Sequence, residues 1–169
     1  KADDPFTGGR EYYNHPNIRR ENFPTIIHQS SATGMQVIPT TGVAQGIHYR
    51  EQQQLGHYDI PPVVICSLGD GSVTEGEVSE AFQFAVLHQL PIIYLVQDND
   101  WGISVSSDEA RVMDAYEYAA GFKGMERVRV NGSDFKDSYK TMSYTIDWVR
   151  KERKPVLVHA KVPLLGHHT

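Results

Sequence analysis

The chain has 169 residues, 40% of them apolar, which supports one hydrophobic core and hardly two. Its 16 basic and 21 acidic residues are scattered and give a formal charge of −5, which excludes a general electrostatic footprint for nucleic acid, so an anionic ligand must be held locally. No apolar run approaches the roughly 20 residues of a membrane span, and the single cysteine, Cys66 within VVICSL, can form no internal disulfide and fits a reducing compartment.

The start at Lys1 and the stop at GHHT read as a single domain, 1–169, cut from something longer. Residues 1–22 carry glycines, prolines and tyrosines without periodicity and read as an irregular lead-in. FPTIIHQ, from Phe23, has strand character. SSATG follows as a polar corner, and the spacing from Val37 to Tyr49 predicts a helix, with an exposed connection after it. VVICSL, apolar throughout, reads as a parallel strand covered on both faces.

From there the alternation is regular. Val78, Ala81, Phe82, Ala85 and Val86 recur at helical spacing, and PIIYLV is a second apolar strand. A helix is predicted over 108–121, then RVRV as a strand. Asp134 is placed to cap a long helix along which Phe135, Tyr139, Met142, Ile146 and Val149 line one face, with Lys151, Arg153 and Lys154 at the end that favours cations. PVLVHAKV is the last strand. The fold class is α/β, a doubly wound parallel sheet with helices on both faces.

In such sheets ligands bind beyond the carboxyl ends of the strands. VVICSL delivers Gly69, Asp70 and Gly71 there; PIIYLV delivers Gln97, Asp98 and Asn99. The glycines allow a sharp turn close to a ligand, and the next helix is expected to aim its first amides at the same place, which suits a phosphate. A carboxylate and an amide oxygen favour magnesium or calcium over softer metals.

GDG at 69–71, with Asn99 thirty positions beyond Gly69 at the next strand end, resembles the motif of thiamine-diphosphate enzymes. The wider pattern GDGSVTEGEVSEAFQFA, LPIIYLVQDNDWGIS and the closing GHHT is similar to the alpha subunit of the decarboxylating component of 2-oxo acid dehydrogenase complexes, from GGR at 8–10 to Thr169. The resemblance implies the thiamine-diphosphate-binding fold, with thiamine diphosphate and magnesium as cofactors. It implies magnesium on the side chains of Asp70 and Asn99 and the carbonyl of Trp101. Ser31 and Thr33 fall at the aminopyrimidine ring, with Gly69 and Gly71 at the diphosphate. His167 and His168 match paired histidines beside the reacting centre. It further implies a beta subunit or fused beta half completing the site, a lipoyl-bearing acyltransferase as acceptor, an α2β2 or fused homodimeric assembly, and a cytoplasmic or mitochondrial-matrix setting. TEGE at 74–77 looks more like branched-chain members than like pyruvate or acetoin members. Asp98, Asp100 and Trp101 depart from the family's usual asparagine, glycine and tyrosine.

Simpler roles compete. An Asp after a glycine commonly forms a turn or caps a helix, Ser31 and Thr33 suit a plain polar corner, and His167 and His168 suit a solvated tail. Glu75 and Glu77 read as favouring a helix N-terminus, and His15, His28, His48, His57, His88 and His159 as structural. DND at 98–100 also resembles a phosphatase with an aspartate nucleophile, although Trp101 breaks that pattern. It also resembles a calcium loop closing on Glu109, although Ile103 stands where glycine is required. A binding module without chemistry is the remaining alternative.

Overall fold

The computed structural model describes residues 17–167. Four parallel strands form the sheet: β1 (Val64–Gly69), β2 (Ile92–Asp98), β5 (Glu126–Asn131) and β6 (Val156–Lys161), in the order β1-β2-β6-β5. A two-residue hairpin, β3 (Trp101–Gly102) with β4 (Val105–Ser106), stands apart at the carboxyl edge. The helices are α1 (Val37–Gln52), α2 (Gly76–Leu87), α3 (Ser107–Ala110), α4 (Ala115–Tyr118) and α5 (Phe135–Glu152). The chain steps from β1 through β2 to β5 and then back to β6, so its crossovers run over both faces as a doubly wound sheet requires.

Strand alternation sorts the core into two halves. Cys66, Leu68, Ile92, Tyr94, Val96 and Leu157 face α1, α2 and α4, where Phe82 lies 4.6 Å from the Tyr94 ring and 5.4 Å from Phe122. Ile93, Val156, Val158, Ala160 and Val130 face α5 and its Val149, Ile146 and Met142. Tyr94 has its hydroxyl satisfied, 2.8 Å from Thr41 Oγ1 and donating to the Ala81 carbonyl at 3.3 Å.

Several expectations need correction. FPTIIHQ joins no sheet; Ile26 makes only an isolated antiparallel bridge to Ile18. α1 runs on into the predicted connection, to Gln52. VVICSL is fully covered on one face only, because α5 lies over the other three strands; on its second face Val63 is partly buried and Ile65 is 45% exposed. The helix predicted over 108–121 is two short ones. Ser106 with Glu109 and Asp114 with Glu117 each form a capping box, and Arg111 between them is extended. On α5, Asp134 caps the helix as expected, accepting from the Lys136 and Asp137 amides. Phe135 and Tyr139, however, are exposed and stack on each other rather than entering the core. Arg153 ends α5 in the left-handed region at φ 50°, donating to the Pro62 carbonyl at 3.0 Å and pairing with Glu51 of α1 at 2.6 Å.

Cys66 is buried in the core, at 2% exposure. Burial pushes its thiol up to about 11, against a smaller opposing effect from the Thr40 hydroxyl. Since only the thiolate reacts, iodoacetamide at pH 8 is expected to leave Cys66 of the native protein unmodified and to label it fully in urea, as read by mass spectrometry. Fast native labelling would show the strand opening locally.

Candidate active site at the carboxyl edge of the sheet

Asp70, the first residue after β1, and Asp98, the last of β2, come side by side because the strands pair in register, Gly69 opposite Gln97. Both carboxylates are buried, at 2% and 1% exposure. Like charges so placed require donors and cations, and the neighbouring strand supplies both. Leu157, His159 and Lys161 share one face of β6, so His159 reaches Asp98 Oδ2 at 2.8 Å and the Lys161 ammonium reaches Asp98 Oδ1 at 3.3 Å. Lys161 also pairs closely with Asp100. Arg111 Nη2, arriving from the extended residue after α3, lies 2.8 Å from Asp70 Oδ2, 3.2 Å from Asp98 Oδ1 and 3.3 Å from Asp98 Oδ2. Asp98 also accepts from the Asp100 amide at 3.0 Å.

Burial alone would raise the Asp98 carboxyl. His159, the Asp100 amide, Arg111 and Lys161 outweigh it and hold the group well below the usual carboxylate range. Burial likewise works against the Lys161 ammonium, and its hydrogen bond to Asp100 and the charge of Asp98 raise it. Asp70 is provided for differently. Its Oδ2 is buried with no aligned hydrogen bond; the Arg111 contact is one of charge and proximity.

The turn after β1 is a single stretch of 3₁₀-helix, Asp70–Thr74, and α2 begins only at Gly76. The amides expected from the first turn of α2 are therefore displaced from the strand end, and that turn carries Glu77. Gly69 is extended, at φ −84°, and a Cβ there would sit 3.9 Å from Ser72 Oγ, so nothing in its backbone demands glycine. Gly71 does: a Cβ on it would come 3.1 Å from the Gly102 Cα. The turn carrying Asp70 thus presses directly on the hairpin that follows Asn99. Asn99 Oδ1 accepts from the Trp101 amide at 3.0 Å, and Asp100, at φ 68°, lets the chain reverse between them.

The corner 30–34 lies against the same turn. Gly34, at φ +81°, lies so close to Glu75 that a Cβ would meet its side chain at 3.0 Å, and Gln36 donates to the Ser67 carbonyl at 3.0 Å. Ser31 and Thr33 are exposed on that corner. His167 is exposed beyond β6, on the chain that leaves the edge where Val162 N–H donates to the Asp98 carbonyl at 2.9 Å. His168 and Thr169 lie outside the described residues.

The aspartate-nucleophile and calcium-loop alternatives find no support in this geometry. Asp98 is enclosed by three cationic or donor side chains, and Glu109 is committed to Ser106, whose hydroxyl donates to it at 2.7 Å. Among the described residues no three His, Cys, Asp or Glu side chains converge on a metal-sized space. A hard cation here would draw on Asp70, the Asn99 amide, backbone oxygen and the oxygens of its own ligand, the coordination magnesium accepts.

Residues 7–169 match the model of the family described as "Dehydrogenase E1 component". The chain belongs to this family. It is 33% identical over 111 residues to the 3-methyl-2-oxobutanoate dehydrogenase subunit alpha of Mycobacterium tuberculosis, covering 66% of this chain and 30% of that protein. To the pyruvate dehydrogenase E1 component subunit alpha of Mycoplasma genitalium it is 29% identical over 136 residues, covering 80% of this chain and 36% of the relative. The chain therefore spans about a third of the curated relatives it matches. Among solved structures it is similar to a transketolase from Campylobacter jejuni, with a TM-score of 0.63 and 27% identity over 76% of this chain and 20% of that one. A transketolase from Leishmania mexicana, 16% identical with a TM-score of 0.64 over 79% of this chain and 20% of that one, shares the fold.

His159 and Arg111 carry no role in the motif-based expectation, yet both hold the centre of this site. His159 was legible in the alternation of PVLVHAKV, which sets it on the face and at the end where PIIYLV delivers Asp98. Arg111 had no such signal, because its position depends on the break between two capped helices.

The unequal support predicts unequal costs. Asp98→Ala leaves His159, Lys161 and Arg111 short of their shared anion and is expected to cost about 3 kcal/mol in urea unfolding. Asn99→Ala removes one loop hydrogen bond and is expected to cost about 1 kcal/mol. Equal losses would contradict the division between a residue that ties strand ends together and one that closes a single turn.

Proposed function

We propose that this chain is the alpha part of an E1 component that binds thiamine diphosphate and magnesium and decarboxylates a 2-oxo acid, passing the acyl group to lipoyl. The observation that carries it is the buried Asp70 carboxylate, with one oxygen lacking a hydrogen bond, pressed through Gly71 and Gly102 against the Asn99–Trp101 hairpin. Membership of the E1 family supports it, as do relatives named for 3-methyl-2-oxobutanoate and pyruvate dehydrogenases.

When bound, the cofactor supplies the carbon centre on which a 2-oxo acid loses carbon dioxide. This chain's work is binding and charge. Asp70 and Asn99 offer side-chain oxygens to the metal, and Trp101 its carbonyl. Gly69 and Gly71 give the diphosphate a backbone approach free of side chains. Asp98 is the foundation of the site rather than a ligand, since its lone pairs are taken by His159, Lys161 and the Asp100 amide. Ser31 and Thr33, on the corner beside Asp70's turn, are assigned to the aminopyrimidine side. His167 and His168 are assigned to proton movement at the substrate carbonyl, since an imidazole can accept a proton at one ring nitrogen and release one from the other.

Branched-chain 2-oxo acids are the proposed substrates, from TEGE at 74–77, with pyruvate and acetoin as alternatives. A beta subunit or fused beta half completes the site, in an α2β2 or fused homodimer serving a lipoyl-bearing acyltransferase. The cytoplasm or mitochondrial matrix is the proposed setting, with no nucleic acid or membrane partner.

In the full-length enzyme, Asp70→Ala is expected to weaken magnesium-dependent binding of thiamine diphosphate by about a hundredfold, the loss a charged contact of ~3 kcal/mol represents. Calorimetry giving the wild-type affinity would sink the assignment. The 169-residue chain alone, with cofactor and magnesium but no beta part, is expected to release no carbon dioxide from 2-oxoisovalerate or pyruvate. Turnover by it would place the whole site within these residues.

A further inference from the structure

A metal on Asp70 Oδ2 would take the place of a cation that the fold already holds there. Arg111 Nη2 lies between the two buried carboxylates, 2.8 Å from Asp70 Oδ2 and 3.2 Å from Asp98 Oδ1. Asp98 does not depend on it, because it keeps His159 at 2.8 Å, Lys161 at 3.3 Å and the Asp100 amide at 3.0 Å. Asp70 Oδ2 has no aligned hydrogen bond at all. Removing Arg111 therefore leaves Asp98 with three hydrogen-bond partners and frees one carboxylate, Asp70.

We propose that Arg111 is an internal cation occupying the metal position of the cofactor-free protein, and that a divalent metal binds by expelling it. The proposal rests on the reading of Asp70 as a metal ligand. A guanidinium cannot shed its proton, and it cannot stay against Asp70 beside a divalent ion where little water screens them. It has to move.

The segment carrying it is built to allow that. α3 is one turn with no buried residue, Arg111 is extended immediately after it, and Val112 is 97% exposed. Arg111, Val112 and Met113 stand as a wall between two cavities, of about 700 and 420 Å³, so the side chain can swing either way without disturbing the core. Metal affinity then equals the intrinsic affinity of the oxygens multiplied by the fraction of molecules in which Arg111 has left.

The test is binding of Mn²⁺ to the full-length protein at saturating thiamine diphosphate, followed by the electron paramagnetic resonance of the free ion. Arg111→Gln is expected to bind Mn²⁺ about tenfold more tightly than wild type, a typical size for coupled equilibria. Arg111→Lys, which keeps a cation in place, is expected to stay near wild type. In wild type, Mn²⁺ is expected to speed hydrogen exchange of the amides of residues 107–113. A folded Arg111→Gln with equal or weaker affinity overturns the proposal. If that variant does not fold, unchanged or slower exchange at 107–113 of wild type on adding Mn²⁺ overturns it. Absence of Mn²⁺ binding to either protein removes the Asp70 assignment and this proposal together, whereas equal binding removes this proposal alone.

Discussion

Two carboxylates at adjacent strand ends, both out of water, are the constraint around which this end of the molecule is arranged. Asp70 and Asp98 are brought together by the register of β1 and β2, and burying both without partners would be prohibitive. Much of the surrounding chain answers that demand. β6 presents His159 and Lys161 on the correct face, the hairpin contributes the Asp100 amide and carboxylate, and Arg111 crosses from α3. Arg129 extends the charged layer outward by pairing with Asp114 at 2.6 Å, above a Tyr116 ring that it and Arg127 both cover.

The layer divides into a part that is saturated and a part that is not. Asp98 is met by His159, Lys161, Arg111 and the Asp100 amide, and this fits a residue that fixes the ends of β2 and β6 to each other. Asp70 meets a charge at Oδ2 without an aligned hydrogen bond there. A buried polar atom so treated is costly in a protein that never binds anything there, and the cost is intelligible where a ligand completes the coordination.

The parallel strands were legible because VVICSL, PIIYLV and PVLVHAKV are apolar runs bounded by turn residues, and the α5 cap was legible in Asp134. Gly69, Asp70, Gly71 and Asn99 were legible as a motif, and register alone brings the two strand ends together. What failed did so for physical reasons. FPTIIHQ has strand propensity but no neighbour to pair with in the sheet, and a continuous apolar β1 does not reveal that α5 stops short of it. A single helix over 108–121 would have to run across Arg111, although SSDE and DAYE each carry the signature of a fresh helix start. Arg111 itself could not be foreseen, since its importance comes from lying opposite two residues far away in the chain.

The contact between Gly71 and Gly102 sets a dimension. One backbone carries Asp70 and the other follows Asn99 and Trp101, and they approach closely enough that a single methyl group on Gly71 would meet the other main chain at 3.1 Å. The spacing of the oxygens in this site is thus gauged by two hydrogen atoms, not by packed side chains that could readjust. A magnesium ion holds its oxygens at about 2.0–2.1 Å and tolerates little departure, whereas calcium accepts a wider and looser shell. On the proposed assignment of a metal to Asp70, Asn99 and Trp101, widening that seam by a few tenths of an ångström would change which ion is preferred before it changed whether the protein folds.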